Sequence, residues 1–138
     1  MTNAIADMFE APLPAAQELA NQLEDISSKR MGVQDEYRQI KPLIDEYIAL
    51  ANVIEPTADE QERMQAILVA LRDMSPGVAL AILNMSGEFK NQAEVVASLT
   101  GYLQKLNTTY AQLSFQEGYT QLQLQAKGFQ ESYEQLND

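Results

Sequence analysis

From Val95 to Leu136 apolar residues recur every three or four positions, with no proline among them. That spacing follows the helical repeat of about 3.6 residues and not the two-residue repeat of a strand, so it predicts one long helix or two stacked ones. Val96, Leu99, Leu103, Leu106, Tyr110 and Leu113 hold the a/d alternation of a heptad pattern. Phe115, Tyr119, Leu122, Ala126, Phe129, Tyr133 and Leu136 then resume the alternation two places further on. A shift of two places turns the stripe by about 200°, so the two halves are expected to face different neighbours. Gly118, with Ser114 and Gly128 nearby, marks a weak point, because glycine inside a helix costs about 1 kcal/mol relative to alanine. An unbroken helix would run about 60 Å, so the expectation is either a break near 114–118 or a protruding arm.

Upstream the punctuation is sharper. Residues 1–13 end at the Pro12 and Pro14 pair and read as a flexible N-terminal arm carrying Ile5, Met8 and Phe9 at helical spacing. Those three side chains would either cap the chain's own helices or fold into a partner's groove. Residues 14–138 are expected to form a single helical-bundle domain. Leu19, Leu23, Ile26, Val33, Tyr37, Ile40, Ile44, Tyr47, Ala51 and Ile54 keep heptad register, with Arg30 its single polar occupant. Pro42 lies inside this run, which predicts two helices at 15–41 and 43–54 or one bent helix, and Gly32 is a second weak point. Thr57 with Glu60 three residues on forms a capping-box signature for a helix over 58–74, whose Met64, Ile67, Leu68, Leu71 and Met74 share a face. Ser75-Pro76 starts another helix over 76–85, apolar nearly all round apart from Asn84, and therefore expected to be buried on all sides. Ser86 and Gly87 end it, and Glu88 is placed in the first turn of the next helix.

The fold class that emerges is all-α, an antiparallel helical bundle with coiled-coil-like heptad seams and a long C-terminal helix or helical hairpin. Composition limits what it can do. The 138 residues include no cysteine and no histidine, which excludes disulfides, thiol chemistry and imidazole acid–base or metal chemistry. The formal net charge is −11, and no basic patch stands out along the chain. Phosphate backbones are bound by displacing counterions with cations, so direct nucleic-acid binding and attraction to an anionic membrane are both disfavoured. No apolar run approaches the roughly twenty residues that span a bilayer, and the first residues lack a basic segment leading into an apolar one. A cytoplasmic location is favoured, with export that needs no cleaved signal left open.

Each candidate site has a plain alternative. The acidic pairs Glu24-Asp25, Asp35-Glu36, Asp45-Glu46 and Asp59-Glu60 are adjacent, hence about 100° apart on a helix, and read as solvated faces and not as proton or metal sites. No catalytic residue, metal site or cofactor is expected. Gln104, Gln112, Gln116, Gln121, Gln123, Gln125, Gln130 and Gln135 give the C-terminal third an uncharged polar face, read either as suited to close approach by another protein or as a simple compositional bias. Phe115, Tyr119, Phe129 and Tyr133 on the second seam read as core, or alternatively as an interface. The partner-binding candidates are thus Ile5, Met8, Phe9, Phe115, Tyr119, Leu122, Phe129, Tyr133 and Leu136. The function expected is that of a non-enzymatic interaction module, such as an adaptor, small chaperone or assembly subunit, binding itself or another helical protein and forming a homo-oligomer. The alternatives are an exported helical subunit of a bacterial secretion or filament system, and an acidic inhibitor that mimics nucleic acid.

Overall fold

The computed structural model describes residues 15–136, and their side chains through 130. Among them the chain is all-helical: α1 (Ala16–Ala51), α2 (Ala58–Met74), α3 (Pro76–Ile82) and α4 (Gln92–Leu136). The described residues divide into two compact units, one of 15–31 with 111–136 and the other Gly32–Tyr110, to both of which α1 and α4 contribute.

α1 is one helix through Gly32 and Pro42. Proline forfeits one backbone bond there, and the apolar stripe that continues past it supplies the compensation. Ile40, Ile44 and Tyr47 on that stripe are buried, while Val33 and Tyr37 are half-buried. Ile54, predicted on the same seam, lies beyond the helix end and is exposed. α2 opens as its signature requires. The Glu60 N–H donates to the Thr57 hydroxyl oxygen at 3.1 Å, and the Thr57 N–H donates to the Glu60 carboxylate at 3.0 Å. Met64, Ile67, Leu68 and Leu71 face inward, but Met74, expected on that face, is exposed at the last turn. In the Gly32–Tyr110 unit these side chains join Ile40, Ile44, Tyr47, Val78, Ile82, Val95, Leu99 and Leu106 in one apolar core.

α3 is shorter than the predicted 76–85 and is not buried all round. Val78 and Ile82 are buried, whereas Leu80 and Met85 are exposed. The helix stops because Asn84 turns the chain back. Its side-chain oxygen accepts from the Ser86 and Glu88 N–H groups at 3.0 and 3.1 Å, and Gly87 takes φ +86, a conformation that favours glycine. Leu83 then pairs with Phe89 in an isolated bridge, and the Arg72 guanidinium lies 5.7 Å from the Phe89 ring centre. Glu88 therefore belongs to this turn and not to the next helix. α4 begins at Gln92, capped by Asn91, whose side-chain oxygen accepts from the Glu94 N–H at 2.9 Å.

The start of α3 is fixed by a polar knot. Ser75 caps α3 by accepting from the Val78 N–H, and its hydroxyl donates to Glu36 at 2.6 Å. The Tyr102 hydroxyl donates to the same Glu36 oxygen at 2.5 Å. The solvated-face expectation fails for Glu36 for that reason: it is half-buried and holds two hydroxyls, while Asp35 is exposed. Gly77 lies under the Tyr102 ring, where an added Cβ would meet the hydroxyl oxygen at 2.3 Å and ring carbons at 2.8 and 2.9 Å. Gly77→Ala is therefore expected to dislodge the ring from Glu36 and cost about 1–3 kcal/mol, the usual range for overpacking. A urea titration checks it, and an unchanged midpoint would show that the ring yields freely.

Candidate interaction face

Burial along the second half of α4 follows the spacing of the first half without interruption. Leu99, Leu103, Leu106 and Tyr110 are buried or half-buried, and the same alternation of four and three continues through Leu113, Glu117, Thr120, Leu124 and Lys127. The helix does not break near 114–118. In the unit of 15–31 with 111–136, its inward stripe is simply less apolar than before.

One of those inward positions, Glu117, is polar for a visible reason. The Arg30 side chain donates to Glu117 Oε2 at 2.8 Å, and the Ser27 hydroxyl donates to the same oxygen at 2.8 Å. Arg30, the one polar residue of the α1 seam, thus meets the carboxylate that α4 supplies. Arg30 first, and Ser27 second, hold the Glu117 carboxyl below its ordinary value. A carboxyl so depressed adds stability above its unfolded pKa and loses it as pH falls through the lower folded value. Acidification below the normal carboxylate range is therefore expected to loosen this unit, and Glu117→Gln should flatten the acid limb of a melting-temperature profile. An acid limb identical in the variant would count against the pair.

The apolar residues of this half lie on the other side. Taking Phe115 as zero, a rotation of about 100° per residue puts Tyr119, Leu122, Ala126 and Phe129 within about 40° of it. Leu113, Glu117, Thr120 and Leu124 fall about 140° or more away. The exposures agree: Phe115 is 74% exposed, Tyr119 56%, Leu122 65% and Phe129 76%. The expectation that these side chains pack as core is overturned, because the inward stripe is already filled by residues half a turn away. Phe115 and Tyr119 stack on each other, ring centres 6.4 Å apart and planes 10° from parallel. Gln116 and Gln125 beside the stripe are exposed, Gln123 and Gln130 beside it are half-buried, and Gln121 further round the helix is exposed.

Among the remaining partner candidates, Tyr133 and Leu136 continue the stripe on the helical backbone, with side chains outside the described residues, and Ile5, Met8 and Phe9 lie outside the described residues altogether. Two surface features of the Gly32–Tyr110 unit were not anticipated. Leu80 and Met85 project beside Pro76, Ala79 and Leu83, and a groove of about 330 Å³ is lined by Val33, Gln34, Tyr37, Arg38, Leu106, Asn107 and Tyr110. Comparison with protein families, curated proteins and solved structures finds no match to this chain. No helix among the described residues is long and apolar enough to cross a membrane.

Proposed function

We propose that this chain is a non-enzymatic helical interaction module, an adaptor, small chaperone or assembly subunit, that binds a protein partner through the outward stripe of α4. The observation that supports it is the set of large apolar side chains, Phe115, Tyr119, Leu122 and Phe129, exposed on one side of a helix already packed on the other. Burying such a side chain fully stabilises by about 1.5–3 kcal/mol, so a stripe of them left in water is a reserve that only an incoming surface can use. Contiguous apolar patches of this kind on a soluble protein mark interaction sites. The three-four spacing suits a partner helix docking in coiled-coil fashion, and the inward stripes of α1 and α4 are read as seams of the same type in an antiparallel bundle. A cytoplasmic location belongs to the same proposal.

Leu122→Asp combined with Phe129→Asp tests the reading. Both positions are wet, so the double variant is expected to keep its helical signal and to melt within about 0.5 kcal/mol of the parent at high dilution. Its association with a partner should be lost. Loss of helicity in the dilute double variant would show instead that the stripe is core.

A further inference from the structure

The residues that border the stripe indicate which partner it takes. In heptad terms the flanking positions are Gln116, Gly118, Gln123, Gln125 and Gln130, none of them charged, in a chain of which 21% is charged and whose net charge is −11. Between 115 and 130 the charged residues, Glu117 and Lys127, are half-buried and lie off the stripe, and Glu117 is held by Arg30 and Ser27. A helix that selects a basic partner carries acids at these flanks, and one that selects an acidic partner carries lysines. Uncharged flanks are what an acidic chain needs to approach another acidic chain. Glutamine adds a positive reason, because its amide both donates and accepts and so pairs with its own copy across a two-fold axis, which a carboxylate or an ammonium cannot do.

Resting on the reading of this stripe as an interface, we propose that its occupant is a second copy of the same chain, docked antiparallel with Leu122 of each copy against Ala126 of the other. Side-chain volume sets the direction. A parallel pair would place Phe115 on Phe115 and Tyr119 on Tyr119, yet Ala126 on Ala126, which leaves a void between crowded layers. The antiparallel pair keeps aromatic on aromatic, Tyr119 on Phe129, but removes the void by setting Leu122 on Ala126. It also brings the two Gln125 side chains face to face near the axis, with Gln116 opposite Gln130. The remaining acidic surface keeps other faces of the two copies apart.

The test is mass by sedimentation equilibrium from low micromolar to submillimolar chain, in low and in high salt. The expected result is a concentration-dependent rise to twice the monomer mass that holds or strengthens in high salt, since screening relieves repulsion between like-charged copies. Gln125→Glu and Gln125→Lys, both at an exposed position, should each weaken the pair by about tenfold or more, and mixing the two variants should restore it. Because the chain has no cysteine, Gln125→Cys carries one thiol, and a short bis-maleimide should join two copies there but not through Gln116→Cys. A helical monomer at every concentration overturns self-pairing while leaving the stripe open to a different protein. Equal crosslinking at both positions overturns the antiparallel register. Failure of the interface reading itself would look different: the dilute Leu122→Asp, Phe129→Asp chain would lose its helical signal.

Discussion

Leu99→Ala is expected to lower the unfolding free energy by about 3 kcal/mol, within the 2–5 kcal/mol usual for truncating a buried leucine. Leu99 is fully buried and lies in the core with Val95, Ile40, Ile44, Ile67, Leu71 and Ile82. The loss therefore combines the transfer energy of the missing atoms with the cavity that such a crowded site cannot close. Leu122→Ala, on the same helix, is expected to cost less than about 0.5 kcal/mol when measured on dilute protein, because its side chain is already largely in water. Urea titrations that compare midpoints at constant slope check both. The contrast carries more information than either value. Two leucines on α4 would differ several-fold in their contribution to folding, as expected of a helix whose two sides serve different ends. Equal losses would mean that the outward stripe is buried against something within one chain.

The parts of the fold that were legible in the sequence are those whose signal is local or continuous. Thr57 and Glu60 satisfy each other's backbone groups within one turn, and Ser75 caps α3 immediately before Pro76, so four residues suffice to announce each helix start. The stripe from Leu19 to Tyr47 was legible because apolar side chains occupy nearly all of it. The inward stripe of α4 was not, beyond Leu113. Its occupants there are Glu117 and Thr120, and a search for apolar spacing passes over them to Phe115, Tyr119 and Leu122, which repeat as regularly half a turn away. What justifies Glu117 is Arg30, far off in the chain and visible only once both helices are built. Glu36 is hidden in the same way, since next to Asp35 it resembles every other acidic pair, and its partners Ser75 and Tyr102 are tertiary. Asn91 with Glu94 was a readable cap for α4, obscured by the stronger punctuation of Ser86 and Gly87.

Glu36→Ala is expected to cost about 1–3 kcal/mol, because it strands the buried Ser75 hydroxyl, the usual penalty for an unsatisfied buried group, and takes the acceptor from the half-buried Tyr102 as well. Ser75 is 1% exposed, so its hydroxyl has no water to turn to. Tyr102→Phe removes one donor along with its need for an acceptor and should cost about 1 kcal/mol. The two together should cost less than their sum, since a single carboxylate oxygen serves both hydroxyls, and a double-mutant cycle measures that coupling. The knot also has a signature in pH. Burial first, and the bond to Glu36 second, hold the Tyr102 phenol above its ordinary value of 10.0, and burial does the same to Tyr47. The folded chain thus prefers the neutral phenols. The stability they confer is complete below the unfolded tyrosine value and is lost as pH rises through the higher folded values. Alkaline titration of the melting temperature should show a steep fall that becomes shallower, without vanishing, in Tyr102→Phe, because Tyr47 remains. If Tyr102→Phe left the alkaline limb unchanged, the phenol would be ionising in the folded chain at no cost, and its bond to Glu36 would contribute nothing to the fold.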